Sequence, residues 1–171
     1  ISGSVSVGGV FPVRGGEFTL TSAGVPGVTV SSSTDPTNPK VGEQKARVAT
    51  IKVENTSSTD DVNLKMIRLR YAGAVSRSNL SNFKVEYSGS LVGTGGAISS
   101  NDLLTLNFDP AFKLERGQNR IFDVFADIAP GTRSGSNETI LWYIEDTNDV
   151  VAVSTNYGYG AVVTNSYGNA S

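Results

Sequence analysis

The residues that could carry chemistry here are carboxylates, lysines, arginines and tyrosines, because the 171 residues include no histidine and no cysteine. Without those two types, a Ser-His-Asp or Cys-His nucleophile pair cannot form, and zinc, copper and haem lack their usual nitrogen and sulfur ligands. No disulfide can form either, so the core alone must hold the fold. We therefore predict no enzymatic activity and no cofactor.

Carboxylates are concentrated in two places, the pair Asp60 and Asp61 and the group Glu145, Asp146 and Asp149. Such groups offer the oxygen ligands that Ca²⁺ prefers, but neither has the ligand spacing of an EF-hand loop. Glycoside hydrolysis needs two acids held at a set separation, whereas adjacent residues of a strand point to opposite faces. We interpret both groups as solvated turn residues and predict no metal site, with a Ca²⁺ site as the alternative.

Aromatic residues near the C-terminus are candidates for binding sugar rings. Tyr157, Tyr159 and Tyr167 lie among glycines, and with Trp142 they would form a stacking platform. The alternative is that Trp142 lies in the core and that the tyrosines pack on a neighbouring sheet or subunit. We favour this alternative.

Four Asn-x-Ser/Thr sequons make the chain a candidate glycoprotein. The motif has a meaning only where the host glycosylates exported proteins, and otherwise marks ordinary polar loops. The candidate acceptors are Asn55, Asn79, Asn137 and Asn169.

Charge and hydropathy exclude two classes of partner. The formal net charge is −2 and only 18% of the residues are charged, so no basic surplus is present to neutralise phosphates. No apolar stretch approaches the roughly 18 residues of a membrane helix. We predict no nucleic-acid partner and no membrane insertion.

The first residue, Ile1, is what removal of a secretory signal peptide would leave, so we expect a secreted protein.

The elements that must position these residues are strands. Runs of β-branched and aromatic residues recur between Gly, Pro, Asn, Asp and Ser, and a single helical turn near residues 78–82 is the one helix candidate. We read the glycine-rich stretch 93–96 as a turn. The predicted strands cover residues 17–22, 28–32, 46–55, 62–72, 83–87, 103–109, 120–128, 138–145 and 150–155.

Alternation with a period of two identifies the core. In the run 120–128 both faces are largely apolar, which is typical of a central strand. In three other runs, one face gathers the side chains that we expect to be buried: Ala49, Ile51, Val53, Leu104, Leu106, Phe108, Ile140, Trp142 and Ile144.

The N-terminal residues 1–16 form a candidate arm. Val5 and Val7 alternate with serines, two glycines follow, and then come Val10 and Phe11. Such a segment can add its main-chain hydrogen bonds to the open sheet edge of a neighbouring subunit. The alternatives are that it pairs within its own subunit or is disordered, as termini often are.

The middle of the chain, residues 17–155, resembles Ig-like β-sandwich domains of prokaryotic cell-surface, S-layer and extracellular filament proteins. The resemblance lies in the order of five pieces. They are the glycine and strand from Gly42 to Val53, the run Val62–Tyr71, the stretch from Ser78 to Gly89, the long run from Phe112 to Ile128, and the hydrophobic run Thr139–Ile144. It implies a structural role in surface layers, stalks, adhesins or fibres, with no catalytic residues.

Together these features predict an all-β protein: an Ig-like two-sheet β-sandwich of about nine strands, with extensions at residues 1–16 and 156–171. We expect an extracellular or cell-surface structural subunit that polymerises with copies of itself. Residues 4–13 would complete a neighbour's sheet and bury Val5, Val7, Val10 and Phe11. The alternative function is a surface adhesin or a carbohydrate- or protein-binding module, with surface glycans as partners.

Overall fold

The computed structural model describes residues 24–34, 38–135 and 138–167, and these residues form an all-β structure. None of its helices is long and apolar enough to cross a membrane within those ranges. Two single 3-10 turns, Arg77–Asn79 and Thr147–Asp149, interrupt the strands. The strands are β1 (Gly27–Ser32), β2 (Ala46–Asn55), β3 (Val62–Tyr71), β4 (Leu80–Tyr87), β5 (Ser90–Gly95), β6 (Leu103–Leu114), β7 (Asn119–Ile128), β8 (Trp142–Tyr143), β9 (Val150–Ser154) and β10 (Val162–Ser166).

All of these strands belong to one continuous mixed sheet. Its order is β10-β1-β2-β7-β4-β5-β6-β3-β8, and β9 pairs with β3 beside β8. Every pair is antiparallel except β1 with β10, which run parallel. The prediction that 120–128 is a central strand is confirmed, because β7 lies between β2 and β4.

The sheet curls so that its two halves face each other across one core. Rings from strands that are not neighbours meet there: Phe108 of β6 lies 5.3 Å from Phe122 of β7, and Phe83 of β4 lies 5.8 Å from Trp142 of β8. The alternation predicted from the sequence is confirmed. Eight of the nine expected core residues are buried, and the ninth, Ile140, is partly buried and packs against the core.

The bend between the halves falls where β5 meets β6. Only two residue pairs, Thr94 with Asn107 and Gly95 with Leu106, join these strands. A Cβ on Gly95 would lie 2.9 Å from the Cβ of Phe83 on the neighbouring strand β4, so a side chain there would push β4 and β5 apart. The prediction of a turn at 93–96 is therefore wrong for residues 93–95. Their glycines permit close approach inside a strand.

Two further differences from the predicted strands concern the C-terminal third. The run 138–145 contributes only Trp142 and Tyr143 to the sheet, because the backbone before them bonds irregularly to the loop after β3: Ala72 N–H donates to Leu141 O at 2.9 Å. β10 was not predicted. β5 was not predicted either, since its residues fall between the predicted runs 83–87 and 103–109. The remaining strands overlap predicted runs, a helical turn occurs at Arg77–Asn79, and the predicted strand 17–22 lies outside the described residues.

The curled sheet is closed at one end and open at the other. At the closed end, Val153 bridges Gly160 and Ala161 N–H donates to Ala152 O at 2.8 Å, which links β9 to the segment that leads into β10. At the open end, β1 stops at Ser32, which pairs with Ile51, although β2 continues back to Ala46. This open end contains the candidate site.

Candidate functional site

A groove of about 720 Å³ opens beside the first half of β2. We call it the β2 groove. Its walls are the loop around Ser33 and Lys40 on one side and residues 132–135 and 138–142 on the other. The buried apolar residues that line it are Val48, Ala49, Val75, Ile128, Trp142 and Tyr167.

Among the described residues, none pairs with one edge of β2 along this groove. β7 pairs with β2 on one side from Ala46 to Glu54, whereas β1 covers only Ile51 to Asn55 on the other. Thr50 is engaged through its hydroxyl, which donates to Thr34 O at 2.5 Å. Within the described ranges, no strand pairs with residues 46–49 on the β1 side. A free edge of this kind is a template for another strand.

A bulge shapes that edge. The pairing of β2 with β7 shifts register between Arg47 and Ala49, so two residues of β2 oppose one of β7. Val48 and Ala49 are both buried as a result, and both line the groove. Two exposed apolar side chains, Val41 (40% exposed) and Leu141 (46% exposed), extend the apolar surface to the rim.

Trp142 lines the same groove. Its ring is fixed by Tyr71, with centroids 4.9 Å apart, and by the edge-to-face contact with Phe83. Only 5% of the residue is exposed, yet Nε1 is buried with no hydrogen-bond partner among the described residues. Tyr71 is buried beside Trp142, and this burial raises the pKa of the Tyr71 hydroxyl to about 12.

In each of the two carboxylate groups one member is buried, contrary to our prediction of solvated residues, whereas Glu145 and Asp146 are exposed as predicted. Asp60 is 2% exposed rather than solvated, and it accepts hydrogen bonds from Ser154 Oγ and, at 2.7 Å, from Asn156 Nδ2. Asp149 is also buried, in a capping box with Asp146, and pairs with Arg68 at 3.5 Å. These carboxylates fasten loops. In the part of the chain that the structure describes, no three His, Cys, Asp or Glu side chains are grouped to hold a metal ion.

Two more carboxylates stabilise loops at the surface. Asp61 lies 2.8 Å from Lys113 Nζ and accepts from Arg116 N–H, which together hold the pKa of Asp61 below its ordinary value. Asp127 accepts from Lys45 N–H at 2.7 Å and from the side chain of Asn82, and these bonds lower its pKa. Lys45 and Asn82 both have φ of 54°, so Asp127 helps to hold two left-handed residues in place.

Exposed tyrosines lie at the closed end. The rings of Tyr157 and Tyr159 stack with centroids 5.4 Å apart and an interplanar angle of 10°, and Tyr157 is 60% exposed. Tyr167 and Trp142 are buried instead, so the four aromatic residues do not form one platform. Trp142 lies in the core, as we expected.

Of the other predicted site residues, Asn55 and Asn79 lie within the described ranges. Asn55 is fully buried, and its Nδ2 donates to Asp60 O and Leu114 O, so a glycan on that atom would displace both bonds. Asn79 is half-buried at the end of a 3-10 turn. Val5, Val7, Val10, Phe11, Asn137 and Asn169 lie outside the described residues. Sequence reasoning missed the groove, because a free strand edge depends on where β1 ends relative to β2.

Compared with known protein families, with curated proteins and with solved structures, the chain matches none. The fold and the β2 groove therefore have to carry the functional argument. What they define is an all-β structure with an apolar groove beside a strand edge that no described residue pairs with.

Proposed function

We propose that this chain is a structural subunit of an extracellular filament or surface layer, in which a strand of one copy completes the sheet of the next. The observation that carries the proposal is the free edge of β2 beside an apolar groove. An unpaired edge of this kind is where an extended segment from another chain adds a strand. No catalytic step and no cofactor is part of the proposal.

The same proposal treats the curled sheet as an Ig-like sandwich. The short β5–β6 junction would be the corner where the chain passes from one layer to the other, and the ring contacts of Phe122 and Trp142 would be the interior between the layers. The secreted location rests on the resemblance to prokaryotic cell-surface proteins.

Residues 4–13 are the proposed donor. Two buried valines would contribute roughly 3–6 kcal/mol to association, at about 1.5–3 kcal/mol each. The double variant Val5→Asp, Val7→Asp would remove this contribution to the free energy of association and would place two charges against the apolar floor of the groove. We expect an association constant lower by at least about 100-fold, measured by sedimentation velocity of the full chain.

The matched control places the same charges on the opposite face. Ser4→Asp, Ser6→Asp should assemble like the unmodified chain, because alternate residues of a strand point to opposite sides. If the valine variant assembled normally, the proposal would be wrong. If it lowered the melting temperature of an isolated monomer instead, the arm would belong to its own subunit.

A surface adhesin or glycan-binding module is the second candidate, and the exposed Tyr157–Tyr159 stack favours it. Aromatic faces of this kind bind sugar rings. This candidate predicts that Tyr157→Ala abolishes retention on immobilised polysaccharide, whereas Val151→Ala, at another exposed position, does not.

A further inference from the structure

The two sequons within the described ranges differ in what the fold does with their asparagines. Asn55 is fully buried at the end of β2. Its Nδ2 donates to Asp60 O and to Leu114 O, and its Oδ1 accepts from Ser57 N–H at 3.0 Å. Both polar atoms of this side chain therefore hold the loop that follows β2. A glycan on Asn55 would remove buried hydrogen bonds, which costs the folded chain free energy.

The side-chain amide of Asn79 is free by comparison. Its main chain is fixed, since the N–H donates to Ser76 O at 2.9 Å and the carbonyl accepts from Ala129 N–H at 2.9 Å. The side chain itself makes no hydrogen bond with the rest of the described chain. Over the same ranges, Trp142 Nε1 is the one buried side-chain nitrogen or oxygen that lacks a partner. The unbonded amide of Asn79 therefore reaches solvent, although the residue is half-buried.

The hydroxyl that the motif requires is accessible as well. Ser81 is exposed, and its hydroxyl makes no hydrogen bond to any described residue. Between the two polar residues, Leu80 has an extended backbone and is only 3% exposed. Because neighbours on either side of an extended residue point the opposite way, Leu80 anchors the segment in the core while Asn79 and Ser81 face outward. The motif is thus presented on a fixed surface turn.

This turn lies at the open end of the curled sheet. Leu80 pairs with Ile128, and Ile128 N–H donates to Glu43 O at 2.9 Å, just before β2 begins. Asn55 lies at the opposite end of β2. A glycan on Asn79 would displace no hydrogen bond of the described chain, and it would extend from the end of the subunit that contains the β2 groove.

We propose that Asn79 carries an N-linked glycan in the exported protein. The donor is an oligosaccharide carried on a lipid pyrophosphate, and an oligosaccharyltransferase of the host catalyses the transfer. Nδ2 loses one proton and forms a bond to the anomeric carbon of the sugar. The bond from that carbon to the phosphate oxygen breaks, and the lipid pyrophosphate leaves with the electron pair. The inference rests on the export that the proposed function includes, and not on contacts between copies.

Tryptic peptide mapping of the protein from its natural source tests the proposal. Trypsin cleaves after lysine and arginine, so Asn79 falls in the peptide 78–84 and Asn55 in the peptide 53–65. The other two sequons share the peptide 134–171. We expect the mass of a glycan on peptide 78–84 and none on peptide 53–65. An unmodified peptide 78–84 would overturn the proposal.

Variants secreted from a eukaryotic cell line that N-glycosylates its exports test the assignment to this motif. Asn79→Gln and Ser81→Ala should each abolish the glycan on peptide 78–84. Ser81→Thr is the matched control, because it keeps the motif and should keep the glycan. Peptide N-glycosidase converts a modified asparagine to aspartate, which gives a second reading of the site. A glycan mass that persists in Asn79→Gln would place the modification elsewhere and overturn the assignment.

Thermal unfolding of chains made without glycans tests the structural difference between the two asparagines. Asn79→Gln removes no hydrogen bond and should leave the melting temperature unchanged. Asn55→Gln disturbs buried hydrogen bonds and should lower it by at least about 2 °C. An equal loss in both variants would contradict the free amide of Asn79.

The outcomes separate this inference from the proposed function. A glycan on Asn79 in a protein that forms no filament supports the inference and overturns the assembly. Filaments whose subunits have an unmodified Asn79 do the reverse. A natural protein that stays inside the cell without a glycan overturns both the export and the modification.

Discussion

The substitution Gly95→Ala tests how the two halves of the sheet are joined. Gly95 pairs with Leu106 in the two-pair ladder between β5 and β6. A Cβ at this position would lie 2.9 Å from Phe83 Cβ and 2.9 Å from Leu106 Cδ2. The leucine methyl can rotate, but the Cβ of Phe83 moves only with its backbone, so β4 would have to shift away from β5.

Overpacking of this kind costs about 1–3 kcal/mol. For a chain of this size each kcal/mol lowers the melting temperature by about 2–4 °C, so we expect a loss of about 2–12 °C. Gly96→Ala is the control, because a Cβ there has no atom within 4 Å and its φ is not in the left-handed region. It should melt within about 1 °C of the unmodified chain.

The assay is thermal unfolding followed by far-ultraviolet circular dichroism and by fluorescence of Trp142, the only tryptophan. Coincident curves from the two probes would show that the sheet and the core around Trp142 unfold together. A normal melting temperature in Gly95→Ala would refute the close approach at the corner of the sheet. So would an equal loss in Gly96→Ala.

Two further predictions concern the carboxylates, and one concerns the exposed tyrosines. Asp61 and Asp127 have lowered pKa values, so their stabilisation is present above the ordinary Asp pKa of about 3.9 and is lost as pH falls through the folded values. Unfolding in urea at pH 7 and pH 3 should show this loss, and Asp61→Asn should make it smaller. Asp60→Ala leaves the buried Ser154 hydroxyl without its acceptor, so we expect a loss of about 1–3 kcal/mol in the same urea assay, and an unchanged midpoint would contradict the network. Tyr157→Ala removes an exposed ring and should change the free energy of unfolding by less than about 0.5 kcal/mol in the same urea assay.

Local patterns in the sequence were sufficient to predict the long strands and their buried faces. β7 alternates between buried and partly exposed residues from Phe122 to Ile128, and β2 does the same from Ile51 to Asn55, beyond its bulge. This works because side-chain direction in a strand depends only on the parity of the position. The same parity placed Trp142 inside.

Features that depend on distant pairing could not be predicted in this way. β5 contains Gly93 and Gly95, which signal a turn locally, and only the close approach of Asn107 and Phe83 explains them inside a strand. Asp60 has the sequence context of a solvated loop and is buried because residues 154–156 fold over it.

The β2 groove is a feature of the same kind. It exists because β1 ends opposite Ile51, five residues short of the start of β2, and because residues 138–141 leave the regular ladder. No local pattern in the sequence marks the end of β1 or the point where residues 138–141 leave the ladder. The candidate donor at residues 4–13, in contrast, was recognised from its alternation alone.

Electron microscopy of the purified full chain at high concentration tests the central claim most directly. The account predicts long particles with a regular axial repeat, formed when each arm occupies the β2 groove of the next subunit. Uniform monomers under the same conditions would contradict it.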